Sequence, residues 1–67
     1  MEYLYLVFND HQGLHFIASN RTWADWYITN KCKLGSGTGV WQPQYFHVVE
    51  QPLNRPITDE VSAYLSE

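Results

Sequence analysis

The residues of this 67-residue chain best suited to metal binding are three histidines and one cysteine: His11, His15, Cys32 and His47. Structural zinc sites usually draw on paired ligands at short spacing, such as two cysteines separated by two residues. Here His11 and His15 flank a turn-forming segment, and the chain has no second cysteine. We therefore expect no metal site, and we expect the domain to fold without a metal or a cofactor.

Residues 35–39 (Gly-Ser-Gly-Thr-Gly) have the composition of a phosphate-binding loop and follow Lys31 and Lys33. Phosphate-binding loops lead directly into the N-terminus of a helix. This segment instead follows a predicted helix and precedes a predicted strand. The sequence favours a flexible glycine loop at residues 35–39, because alternating glycines carry high chain entropy and offer no side chain to pack.

Cys32 lies between Lys31 and Lys33, and ammonium groups close to a thiol lower its pKa and make it a better nucleophile. Consecutive residues on a helix point in different directions, however, and a catalytic thiol also needs a histidine within reach. We therefore predict an ordinary thiol, no catalytic residue, and a protein that is not an enzyme.

Charge narrows the range of partners. Seven acidic residues stand against four basic ones, which gives a net charge of −3 at pH 7. Proteins that bind nucleic acids owe much of their affinity to lysine and arginine side chains that neutralise phosphates, so direct binding of DNA or RNA is disfavoured. The last eleven residues carry Asp59, Glu60 and Glu67 and no base.

We expect neither a membrane-spanning nor an export segment. The longest apolar run, residues 3–8, is far shorter than the roughly 20 residues that a membrane helix needs. No basic segment followed by an apolar stretch comes after Met1, and the single cysteine fits a reducing compartment. We therefore predict a cytoplasmic protein.

The first half of the chain predicts a hairpin. Residues 3–8 are apolar at every position, which indicates a strand in the middle of the sheet. Turn-forming residues 9–13 follow, with Gly13 free to adopt a positive φ. Strict alternation along residues 14–18 would place Leu14, Phe16 and Ala18 on one face of the second strand and His15 and Ile17 on the other.

A helix is predicted over residues 20–31, with Ser19 or Asn20 as its N-cap. The spacing of its large side chains supports this prediction, with Trp23, Trp26, Tyr27 and Asn30 on one side. A strand is the alternative, because tryptophan, tyrosine, isoleucine and threonine all favour sheets.

The second half of the chain predicts a strand over residues 40–50 and a closing helix. Pro43 cannot donate a ladder hydrogen bond, so it requires an edge position or a bend. Thr58 would cap the last helix, with Asp59 and Glu60 in the first turn, where acidic residues are favoured.

This order of elements predicts a single small α+β domain spanning residues 1–67. The sheet would have three antiparallel strands, with one or two helices packed on one face and the other face left open. The three tryptophans are candidates both for the core and for a binding surface. Of these, Trp41 is expected to be the most exposed, because it lies beside Gly39 and Pro43 at an irregular start of a strand.

In its size, α+β layout, acidity and aromatic content the chain resembles the small accessory proteins with which bacteriophages block host enzymes, including inhibitors of CRISPR-Cas complexes. This resemblance rests on no motif and assigns no residue. It implies a protein-binding inhibitor acting in the host cytoplasm. An acidic chain is attracted to basic grooves, which are common on nucleic-acid enzymes. The predicted partner-binding residues are Asp10, Trp41, Glu50, Asp59 and Glu60.

Two other classes of function fit the sequence. The chain could be a structural or assembly subunit that forms a homo-oligomer through an exposed strand edge. It could also be an accessory protein that binds a small ligand. For the isolated protein we expect a monomer or a weak dimer.

Overall fold

A computed structural model of the protein describes residues 2–66 and has the predicted order of elements. The strands are β1 (Tyr3–Asn9), β2 (Gly13–Ala18) and β3 (Phe46–Pro52), and the helices are α1 (Arg21–Leu34) and α2 (Asp59–Leu65). Met1 and Glu67, the last acid of the C-terminal segment, lie outside the described residues. The predicted α+β class is confirmed.

β1 is the central strand of the sheet, as its apolar sequence predicts. It lies between β2 and β3 and is antiparallel to both. The β1–β2 turn contains Gly13 at a φ of 79°, the positive value expected from the sequence. Asn9 closes this turn: its buried side chain donates to the carbonyl of Val40 at 2.8 Å and accepts from the amide of His11 at 2.9 Å.

The two helices cover opposite faces of the sheet. On one face, Ala24 of α1 packs into a cluster with Val7, Ala18 and Phe46. On the other face, Val61 of α2 packs with Leu6, Phe8 and Val49. The three-stranded antiparallel sheet is as predicted, but the helices do not share a face, and the face expected to be open is covered by α2. The reason is that β1 is apolar on both sides, so both sides must be removed from water.

A β-bulge changes the pattern of side chains on β2. Val7 lies opposite Phe16 whereas Phe8 lies opposite Leu14, so His15 is the additional residue. His15 therefore packs on the α1 face, and Leu14 shares the α2 face with Ile17, which lies opposite Leu6. The predicted alternation is wrong for Leu14 and His15, because an inserted residue breaks the period of two.

Helix α1 is confirmed over the alternative of a strand, and it extends three residues beyond the predicted end. The Asn20 side chain caps it by accepting from the amide of Trp23 at 2.9 Å. The side that faces the sheet is centred on Ala24, which is fully buried, whereas Trp23 and Trp26 are each 51% exposed. The small Ala24 side chain allows the helix to approach the sheet closely, so the tryptophans lie outside the contact.

The strand predicted over residues 40–50 is wrong in its first half. Residues Gly39–Trp41 and Pro43–Tyr45 form two short 3-10 turns, and β3 begins only at Phe46. Pro43 occupies the first position of its turn, where a missing N–H group leaves no hydrogen bond unmade. The bend expected at Pro43 is therefore present.

The side chain of Gln51 organises the connection from β3 to α2. Its amide group donates to the carbonyls of Pro52 and Pro56 at 3.0 and 3.1 Å, and its oxygen accepts from the amide of Thr58 at 3.1 Å. Thr58 caps α2 as predicted, since its hydroxyl accepts from the amide of Val61 at 3.3 Å. Gln51 thus fixes where α2 begins and where its first-turn acids lie.

Candidate interaction surfaces

The histidines and Cys32 do not converge on one site. Among residues 2–66, no group of three or more His, Cys, Asp or Glu side chains is arranged to hold a metal ion. Each histidine instead has a separate partner: His11 contacts Tyr45, His15 contacts Tyr27, and His47 contacts Asp10. Burial raises the pKa of the Cys32 thiol, which is opposite to the change that would activate a nucleophile.

Backbone amides of the glycine loop donate hydrogen bonds to carbonyl groups at the end of α1. The amide of Gly37 donates to the carbonyl of Cys32 at 2.9 Å, and that of Ser36 donates to Lys33 at 3.2 Å. These groups terminate the helix and do not form a cradle for a phosphate. The mobility of residues 35–39 stays a prediction.

His15 of β2 lies in an aromatic cluster with Tyr27 of α1, Trp41 and Phe46. One of its ring nitrogens, Nδ1, is 3.1 Å from the hydroxyl of Tyr27, and its ring meets those of Trp41 and Phe46 edge-on. Desolvation in this cluster, with a smaller effect of the Lys31 charge, lowers the pKa of His15 below its usual 6.5. The neutral imidazole is therefore the form that fits the fold.

We expect His15 to make the protein less stable in mild acid. The unfolded chain takes up a proton near the usual pKa of 6.5, whereas the folded chain takes it up only at lower pH. Stability should therefore fall as the pH drops through 6.5, and the loss should be complete below the folded pKa. Urea midpoints at several pH values, compared between the wild type and His15→Gln, measure this effect. Equal pH dependence in the two proteins would contradict it.

The four acids predicted to bind a partner all border β3. Glu50 is an exposed residue of β3 itself, and Asp10 reaches β3 through a 2.9 Å contact between its carboxylate and Nε2 of His47. Asp59 and Glu60 are exposed in the first turn of α2, which packs against β3. We call these four residues the acidic β3 surface.

The acidic β3 surface is on both sides of the sheet. Val49 points towards α2, so its neighbour Glu50 points towards the α1 side, away from the acids of α2. The basic residues are distributed differently, since three of the four, Arg21, Lys31 and Lys33, belong to α1. The molecule is therefore electrically asymmetric, with its negative charge around β3.

Trp41 is less exposed than the sequence predicts. It is half-buried against the α1-side core and packs directly on Gly35, and its ring also contacts His15. The expected order of exposure is therefore wrong, because Trp23 and Trp26 are the tryptophans that are half exposed. The assignment of Trp41 to a partner contact stays a prediction.

Sequence reasoning missed a second surface, along the outer edge of β2. Tyr27 stacks on Phe16 of β2, with ring centroids 4.4 Å apart, so this flank of α1 faces the β2 side of the sheet. Trp23 is one turn before Tyr27 on the same flank, and it meets Trp26 edge-on at 5.4 Å. We call the exposed apolar side chains along this edge the β2 edge surface: Leu14, Ile17 and Trp23.

The fold and these surfaces define a small α+β domain with an acidic side around β3 and an apolar edge at β2. Comparison with protein-family models, with curated proteins and with solved structures found no significant match. Within residues 2–66, neither helix has the length and apolar character required to cross a membrane.

Proposed function

We propose that this protein is a small binding inhibitor that occupies a basic surface of a nucleic-acid-handling protein complex. The observation that carries the proposal is the grouping of Asp10, Glu50, Asp59 and Glu60 around β3, while most basic residues lie on α1. A basic protein surface that normally receives nucleic acid is complementary to such a group of carboxylates. Binding there would exclude the nucleic acid sterically or by competition.

Charge alone would give fast encounter but little affinity, which comes mainly from apolar side chains that lose water in the contact. Ile57 immediately precedes the cap of α2 and is 57% exposed, so it offers such a contact next to Asp59 and Glu60. Trp41, which is half-buried, is the other proposed anchor. Because Trp41 also packs on Gly35, its replacement would affect stability as well as binding.

The biological setting that we propose is a bacteriophage protein acting in the host cytoplasm, with a CRISPR-Cas complex among the candidate targets. This part of the proposal depends on the resemblance in size, acidity and fold class to phage-encoded inhibitors. The tagged protein should capture a host complex with a basic nucleic-acid-binding surface, identified by mass spectrometry. The captured complex should lose binding of its nucleic acid when this protein is added.

We expect the charge-neutral variant Asp10→Asn, Glu50→Gln, Asp59→Asn, Glu60→Gln to associate with that partner roughly tenfold or more slowly at low salt. The reason is that the carboxylates steer the two proteins together, and added salt should remove the difference by screening. Stopped-flow association rates at several salt concentrations measure the effect, with circular dichroism to verify folding.

A control for charge removed elsewhere replaces two acids outside the acidic β3 surface, by Glu2→Gln and Asp25→Asn, and is compared with Asp59→Asn, Glu60→Gln, which removes the same number of charges. Asp25 already lies 3.4 Å from Nε of Arg21, so its contribution to steering is partly neutralised. The control should associate faster than that double variant. If the quadruple variant binds its partner at the wild-type rate at low salt, the electrostatic part of the proposal is wrong.

A further inference from the structure

The outer edge of β2 has an unpaired backbone among the described residues, because β2 pairs only with β1 in the three-stranded sheet. An unpaired edge exposes N–H and C=O groups that can continue the sheet with another strand. Proteins usually protect such an edge with a charged side chain or a proline. β3, at the other edge, contains both, at Glu50 and Pro52.

The sequence of β2, Gly-Leu-His-Phe-Ile-Ala, contains neither a proline nor an acidic, lysine or arginine residue. Large apolar side chains flank it on both faces. On the α2 face Leu14 is 42% and Ile17 is 53% exposed, and on the α1 face Trp23 is 51% exposed. A strand added to β2 would therefore bury apolar surface above and below the new hydrogen bonds.

We propose that this edge pairs with the β2 edge of a second copy of the chain, in antiparallel orientation, to form a continuous six-stranded sheet. Two-fold symmetry brings the same surface together with itself, so the surface must be self-complementary. The β2 edge surface meets this condition because its three side chains are uncharged. On α1, Arg21 and Asp25 compensate each other at 3.4 Å, and Nζ of Lys31 lies 5.6 Å from the ring centroid of Tyr27.

The charge distribution favours a second copy over a basic partner at this edge. Glu50, Asp59 and Glu60 lie around β3, on the other side of β1, and Asp10 of the β1–β2 turn is directed to β3 by its contact with His47. Two copies that meet at β2 therefore keep their negative sides apart, and repulsion between them is small. Both acidic β3 surfaces remain accessible at the ends of the six-stranded sheet.

The expected dimer is weak. A strand of six residues is about 20 Å long, and the bulge at His15 restricts regular pairing to the part of β2 that follows it. A surface of this size is smaller than the roughly 800 Å² per partner of a standard stable interface. We therefore expect a dissociation constant in the micromolar range, within reach of concentrations up to about 500 µM.

Sedimentation equilibrium from about 5 to 500 µM tests the proposal, and this range brackets a micromolar dissociation constant. The mass of the wild type should rise from 7.9 kDa towards twice that value. Ile17→Lys, which places a charge on the edge, should weaken association at least tenfold. Ile57→Lys is the matched control, because Ile57 is similarly exposed at 57% but lies next to α2. It should leave the dimer unchanged.

Hydrogen exchange provides a second readout. Amides of β2 that point away from β1 should gain protection as the concentration of the wild type rises, whereas amides of β3 should not. A mass of 7.9 kDa throughout the range would overturn the proposal. Equal association of Ile17→Lys and the wild type, or concentration-dependent protection confined to β3, would also overturn it. None of these results depends on the partner of the acidic β3 surface.

Discussion

Phe8→Ala is expected to reduce the free energy of unfolding by about 3 to 5 kcal/mol. Phe8 is 1% exposed, at the centre of the sheet face covered by α2, and its ring stacks on that of Tyr64 with centroids 5.0 Å apart. Truncation removes this contact and leaves a cavity between β1 and α2. A domain of this size has a small free energy of unfolding, so much of the Phe8→Ala variant should be unfolded at 37 °C.

Urea denaturation followed by circular dichroism measures this loss. Leu65→Ala is the matched control on the same side of the sheet, because Leu65 belongs to α2 but is 51% exposed. Leu65→Ala should reduce the free energy of unfolding by less than about 1 kcal/mol. Similar losses in the two variants would mean that α2 does not form a packed layer with Phe8, and the two-faced core described here would be wrong.

The elements of the fold could be predicted because their signals are local. Asn20 and Thr58 cap their helices through side-chain hydrogen bonds to amides three residues on, and the residue type at each position is sufficient to indicate this. Gly13 takes the positive φ that its turn requires. The central position of β1 follows in the same way from a sequence that is apolar on both sides.

The arrangement of the layers depends on contacts between distant residues, and here the sequence was misleading. The bulge at His15 has no sequence signal, because histidine is compatible with either face of a strand. The buried side of α1 is determined by the small Ala24, whereas the helical spacing of large side chains makes Trp23 and Trp26 the candidates for the core. The exposure of these tryptophans could have been anticipated only by asking which side chain lets the helix approach the sheet most closely.

The candidate surfaces also combine features that the sequence indicates locally with features that depend on long-range contacts. The residue type alone makes each acid a candidate for binding a basic partner, and the position of Asp59 and Glu60 after the Thr58 cap also predicts that they lie in the first turn of a helix. Their grouping with Asp10 and Glu50 arises from long-range contacts: the pair between Asp10 and His47, and the hydrogen bonds of Gln51 that fix the start of α2. The apolar edge at β2 requires knowledge of the strand order, which no local pattern in the sequence supplies.

Gly35→Ala should have the second large effect on stability, a loss of roughly 1 to 3 kcal/mol from overpacking. The backbone of Gly35 is unstrained at a φ of −85°, so glycine is not required there by its conformation. It is required by space, because an added Cβ would approach the Cγ and Cβ atoms of Trp41 to well under 3.0 Å. Cβ and Cγ are the side-chain atoms closest to the backbone, so a change of rotamer cannot relieve the clash. The backbone around residue 41 must therefore move.

A double-mutant cycle isolates this clash from other effects of the alanine. In a Trp41→Gly background, which removes the Cβ atom of residue 41 as well as the ring, the added methyl group has room. Gly35→Ala should then be neutral or stabilising by up to about 1 kcal/mol, because alanine restricts the unfolded chain. Urea denaturation of the wild type, both single variants and the double variant gives the coupling energy. If Gly35→Ala costs the same in both backgrounds, Trp41 does not pack on Gly35, and the half-buried position of this tryptophan would have to be abandoned.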